Sequence, residues 1–160
     1  MSERIAPLLA SIETGAPLAS DPGKLLNDIL ALFACVSGTI HVFNEQDGML
    51  HIKAHTGIPD FLLPKMAVIP VGKGMAGEAA RRMAPVQICN LQTDESGVVR
   101  PSAKETRMEG AITVPMVLNG RLCGTLGVAK SVPYDFTDRE SDELMRLGEA
   151  MAKGMQAIAG

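Results

Sequence analysis

The stretch Ile69-Pro70-Val71-Gly72-Lys73-Gly74-Met75-Ala76-Gly77 decides how this chain is read. Its glycines spell G-x-G-x-x-G between a strand-like apolar run and a helix-like run. Asp94 follows about 20 residues later, as the dinucleotide-binding fingerprint asks. That fingerprint belongs to a parallel sheet made of repeated βαβ units. A phosphate loop of the Walker type is excluded at once, because Lys73 is followed by Gly74 and not by Ser or Thr.

Outward from the motif, the chain supplies hairpins instead of βαβ units. Residues 111–118 and 121–130 are apolar runs joined by Asn119-Gly120, the strongest short-range hairpin signal. Residues 39–44 and 49–55 are strand-like and flank Gln46-Asp47-Gly48. Between the hairpins, short strands at 67–71 and 85–89 bracket a helix over 74–83. Residues 60–66 read as a short helix cut by Pro64, and 90–109 as a polar loop with one or two helical turns.

Helices close both ends. Ile5, Leu8, Leu9 and Ile12 have helical spacing, and residues 17–23 break that helix. Asp21 can cap a second helix with Pro22 in its first turn, ending near 35–38. Thr137 and Glu140 form a capping box that opens a last helix over 138–158. Two hairpins exclude an all-parallel sheet. The pattern is α+β around a central antiparallel sheet, with residues 1–20 as an N-terminal helix and linker and 21–160 as the domain.

Composition narrows the function classes. The chain has 160 residues, 46% hydrophobic but only 3% aromatic and without Trp, so its core is aliphatic and methionine-rich. A net charge of −3 with no basic stripe argues against nucleic acid, and scarce aromatics argue against base stacking. No run approaches the ~18 apolar residues of a membrane span. Cys35, Cys89 and Cys123 lie in apolar runs without C-x-x-C spacing, which predicts buried thiols in a reducing, cytoplasmic setting.

Pro70-Val71-Gly72-x-Gly74-x-x-Gly77, Pro85-Val86-x-Ile88 and Asn90-x-x-x-Asp94 together resemble the middle of a GAF domain. Gly110 to Met116, then Asn119-Gly120-Arg121-Leu122-x-Gly124-Thr125-Leu126-Gly127-Val128, resembles that family's central hairpin. Phe136-Thr137-Asp138-x-Glu140 is similar to the start of its last helix. The resemblance runs over about residues 22–158. It implies a five- or six-stranded antiparallel sheet, with terminal helices on one face and short helices and loops on the other, enclosing a small-molecule pocket. It also implies a regulatory role and dimerisation through the terminal helices.

Branches of the family differ in chemistry. Free methionine-(R)-sulfoxide reductases carry a Cys just before the last glycine of the motif, where this chain has Ala76, and another in the loop before the second hairpin, where residues 90–122 have none. Without those thiols the attack on a sulfoxide has no nucleophile. The phosphodiesterase N-K-x-F-D-E signature is missing, and the loop has no Cys for a covalent bilin. The expectation is a non-enzymatic sensor, with a ligand-free dimerisation module and a divergent thiol-dependent reductase as alternatives.

The expected pocket side chains are Thr39, His41 and Phe43 on one strand face, Thr113 on the later hairpin, Asn90 and Asp94 at family positions, and Arg107 as a bidentate partner for an anion. Strand alternation places His51, Lys53 and His55 on one face. No histidine spacing supplies a metal site, and nothing in the residues names a cofactor. Leu144, Leu147, Met151, Met155 and Ile158 form a near-heptad seam that packs on the chain's own sheet and can add a homodimer contact shared with the first helix.

Overall fold

The computed structural model describes residues 3–159, apart from the side chains at 3, 102, 158 and 159, so Ile158 of the helical seam lies outside the described side chains. Helices α1 (Ala6–Ile12), α2 (Ala16–Ser20) and α3 (Pro22–Leu32) lead into strands β1 (Ser37–Asn44) and β2 (Met49–Thr56). Then come α4 (Leu63–Met66), β3 (Val68–Pro70), α5 (Gly74–Arg82), β4 (Val86–Ile88) and α6 (Pro101–Glu105). The hairpin β5 (Ala111–Leu118) and β6 (Arg121–Ala129) precedes α7 (Asp138–Ala159).

The strands form one antiparallel sheet in the order β3-β2-β1-β6-β5-β4. Both hairpin signals hold. Asn119 and Gly120 take φ of 53° and 77°, as a tight primed turn requires. The capping box is reciprocal: Glu140 N–H donates to Thr137 Oγ1 at 3.1 Å, and Thr137 N–H donates to the Glu140 carboxylate at 2.9 Å. Asp21 Oδ1 accepts from Lys24 N–H at 3.1 Å and starts α3.

The main core lies on one face of the sheet. Ile40, Ile112, Val114, Met116, Leu126 and Val128 point into it and meet Leu26, Ile29, Leu144 and Met151 from α3 and α7. Ile12 and Leu18 join the same cluster, so α1 and α2 pack into the domain core. Leu144, Leu147 and Met151 are at most 1% exposed within the single chain. The seam of α7 is therefore consumed by the sheet, and Met155 is left half-buried at its end.

Three local readings need correction. The segment read as a break holds α2, because Pro17 sits in its first turn, where a missing N–H costs nothing. Pro64 likewise begins α4 instead of cutting a helix. Third, β1 and β2 slip register between Ile40 and His41: Ile40 faces Ala54, but His41 faces Ile52. This bulge breaks the alternation. His55 lies opposite Thr39 and His51 opposite Val42, so His51 and His55 fall on opposite faces. His51 bonds Asp47 at 2.6 Å and His55 is exposed.

The Gly72–Gly77 segment is a turn that launches α5. Gly72 and Gly74 have φ of 93° and 66°, and Gly72 N–H donates to the Gly77 carbonyl at 2.7 Å. A methyl on Gly77 would sit 2.4 Å from the Pro70 carbonyl oxygen. The motif is thus a strand-to-helix junction packed without room for a Cβ.

Candidate functional site

On the sheet face opposite the main core, α4, α5, α6 and the loop before β5 enclose a cavity of about 120 Å³. That is several times the room one water needs, and below the range of drug-sized pockets. Its floor is the centre of the sheet. Thr39 on β1 and Thr113 on β5 both lie opposite Gly127 of β6, so their hydroxyls converge over a residue with no side chain. A Cβ on Gly127 would stand 3.1 Å from Thr113 Oγ1 and 3.5 Å from Thr39 Oγ1. Thr113 is only 6% exposed, and neither hydroxyl has a hydrogen-bond partner among the described residues.

His41 also lines the cavity and is 1% exposed. Its Nε2 lies 2.8 Å from the Met66 carbonyl oxygen, to which it must donate, so Nδ1 is an acceptor in the neutral ring. Nδ1 has no partner, and neither has Oγ1 of its cross-strand neighbour Thr125. Burial pushes the imidazole pKa below its ordinary 6.5, with the Met66 carbonyl opposing.

The walls are soft and apolar, with Ile58, Met66, Met75, Leu91 and Met108 among them. At the rim, the aliphatic stem of Arg100 crosses Gly74, where a methyl would lie 2.9 Å from Arg100 Cδ. Arg100 makes no ion pair among the described residues, whereas Lys65, which also lines the cavity, is 3.7 Å from Glu105.

The structure thus brings Thr39, His41 and Thr113 together and places the other expected residues elsewhere. Phe43 packs with Leu50, Ile69 and Leu122 in a second small cluster beyond the cavity. Asn90 and Asp94 fold their carbonyl and carboxylate oxygens back onto Gln92 N–H and Ser96 N–H, at 2.9 and 3.2 Å. Arg107 is exposed at φ 64°, ending the α6 turn. Ser37, Met75, Ala76, Arg100 and Gly127 line the cavity without having been expected there.

The thiols stand apart from it. Cys35 is buried on the helix side of the sheet, where burial raises its pKa to about 11. Cys123 is half-buried against the same core, so it too falls short of the buried thiol expected. Cys89 is exposed, a correction to the expectation of a buried thiol: it lies just past the short edge strand β4, which leaves its side chain uncovered. Among the described residues no group of His, Cys, Asp or Glu could hold a metal ion. No helix there is long and apolar enough to cross a membrane.

The sequence profile of the GAF domain family matches residues 23–156. The chain belongs to the GAF domain family. GAF domains are generally sensory or regulatory ligand-binding modules, and most are not enzymes. No curated protein sequence matches the chain significantly. Among solved structures, the GAF domain of a phosphoenolpyruvate-protein phosphotransferase (ptsP) from Coxiella burnetii superimposes with a TM-score of 0.79 at 18% identity, covering 98% of this chain and 94% of that one. The corresponding Acinetobacter GAF domain gives 0.73 at 17% identity, covering 99% and 98%. Free methionine-R-sulfoxide reductase from Neisseria meningitidis, in complex with its substrate, gives 0.73 at 17% identity, covering 98% and 93%. At these identities the likeness speaks for the fold alone, and one fold hosts both sensors and reductases.

Proposed function

We propose that this GAF domain is a non-enzymatic cytoplasmic sensor that binds a small molecule between the sheet and residues 56–110. The observation that carries the reading is the pair of unpartnered hydroxyls, Thr39 and Thr113, converging over Gly127 at the floor of an apolar-walled cavity. A ligand that hydrogen-bonds to these hydroxyls would gain about 0.5–1.5 kcal/mol per bond. The absence of enzymatic chemistry is argued from the thiols. Ala76 presents a methyl to the cavity, and none of the three cysteines lines it.

The signal would leave through the terminal helices. α1 packs on α7, and Leu8, Leu9, Leu32 and Met155 stay half-buried along that side, an apolar margin suited to a homodimer. A contact there has to use these residues, because the α7 seam is already covered.

Native mass spectrometry of the purified protein tests the reading, with Gly127→Leu as the comparison, since its side chain would fill the floor. The expected result is a retained small molecule in the wild type and none in the variant. A wild type that retains nothing and binds no small metabolite in a thermal-shift screen would leave only the dimerisation module. Sedimentation of wild type and Leu9→Glu would test the helical contact, with dimer dissociation expected.

A further inference from the structure

We propose that the ligand is a small monocarboxylate whose carboxylate sits at the N-terminus of α5 beneath Arg100, with its short apolar body directed toward Thr39 and Thr113. This inference rests on the ligand-binding reading above and deepens it.

Several independent features converge on one spot. α5 has nine residues, and its N-cap Lys73 makes no side-chain cap bond. The first intrahelical bond is donated by Gly77 N–H to Lys73 O at 3.0 Å, so the N–H groups of Gly74, Met75 and Ala76 have no helical acceptor. These same residues line the cavity. A helix N-terminus of this kind favours an anion. Arg100 lies directly over Gly74, carries a full charge and has no ion pair among the described residues. Deeper in the same cavity, Thr113 is only 6% exposed, with a hydroxyl that has no partner among the described residues. The glycines admit the approach: a side chain at 74 would collide with Arg100, and one at 127 would crowd both threonines.

Charge and size choose the class. Among the described residues, Arg100 is the cavity cation without an ion pair, and Lys65 at the exposed rim stands 3.7 Å from Glu105. A dianion such as phosphate would leave a charge uncompensated among Met66, Met75 and Met108, and an unpaired charge in apolar surroundings is costly. A guanidinium with convergent N–H groups matches a carboxylate. The volume of about 120 Å³ suits a short chain.

The test uses the full chain. Monocarboxylates of about two to six carbons, with and without a hydroxyl or amino group, are titrated alongside their primary amides and inorganic phosphate. Calorimetry gives affinity, and amide resonances locate the ligand. A carboxylate is expected to saturate and shift the Gly74, Met75 and Ala76 amides while its amide does not. Arg100→Gln should weaken it about tenfold or more, Arg100→Lys less, and Arg107→Gln not at all. Equal binding of the amide, or an unchanged Arg100→Gln affinity, overturns the anion site and leaves the ligand reading standing. Phosphate binding tighter than every carboxylate overturns the assignment in favour of a phosphate site. If no carboxylate binds, the inference fails, and the native mass of the purified protein then decides whether the ligand reading fails with it.

Discussion

Replacing Gly77 by alanine sets two known effects against each other. Inside a helix, Gly to Ala is worth about 1 kcal/mol of stability. Gly77 is helical, with no positive φ to forbid the change. Packing opposes it. The new Cβ would stand 2.4 Å from Pro70 O, 3.0 Å from Gly72 N and 3.2 Å from Gly72 C, all of them backbone atoms that no rotamer can move. Relieving the overlap means separating α5 from the turn, an overpacking cost of about 1–3 kcal/mol. It also stretches the 2.7 Å bond from Gly72 N–H to Gly77 O, worth about 0.5–1.5 kcal/mol. The sum is a net loss of roughly 1–3 kcal/mol, or several degrees in Tm at about 2–4 °C per kcal/mol. Urea unfolding should show a lower midpoint with an unchanged m-value. Gly23→Ala is the control. It lies in α3 with only Asp21 Oδ1 near its Cβ position, at 3.8 Å, and should stabilise by about 0.5–1 kcal/mol. If Gly77→Ala raised the midpoint as Gly23→Ala does, the account of the motif as a close-packed junction would be wrong.

Other perturbations probe the rest of the fold. Arg4 donates from Nε and Nη2 to the buried Glu143 carboxylate at 3.0 and 2.8 Å, and from Nη1 to the Leu32 carbonyl at 2.6 Å. Arg4→Ala should cost about 1.5–3 kcal/mol in urea unfolding, with Arg4→Lys recovering only part. Glu78 accepts from both Arg81 and Arg82, which hold its carboxyl down to about 2 from the usual 4.5. A depressed folded pKa adds stability that is complete above 4.5 and lost as pH falls from 4.5 toward 2. The stability difference between wild type and Glu78→Gln should therefore shrink over that window, and a constant difference would refute the ion cluster. A thiol reagent followed by peptide mass spectrometry should label Cys89 first and Cys35 only after unfolding, since Cys35 is buried with its pKa near 11.

The parts of the fold legible in the sequence are those fixed by local chemistry. Asn119-Gly120 can take two positive φ angles in succession, and Thr137 with Glu140 can satisfy two orphan donors reciprocally, whatever lies around them. Where the outcome depended on neighbours, the sequence was silent. The bulge at Ile40/His41 leaves no mark in the alternation of 49–55, yet it moves His51 and His55 to opposite faces. The exposure of Cys89 follows from β4 being a three-residue edge, which an apolar run cannot announce.

The candidate site divides along the same line. Strand positions were readable: with Thr39 and Thr113 both opposite Gly127, sheet register alone brings their hydroxyls together. Loop positions were not. Asn90 and Asp94 have short polar side chains that can bond their own backbone two residues on, and they do so, leaving nothing for a cavity. The loop sequence points to Arg107 as an anion partner, but Arg107 occupies a left-handed turn that holds it outward. Arg100 carries a signal of its own in the sequence. It precedes Pro101, and the proline ring keeps it extended at φ −76° and ψ 153°, outside the helix it starts. An extended residue at a helix entrance is free to lay its side chain across a neighbouring element, and the nearest surface without a Cβ is Gly74. The glycine that imitated a phosphate loop is thus the reason an arginine can lie over the end of α5.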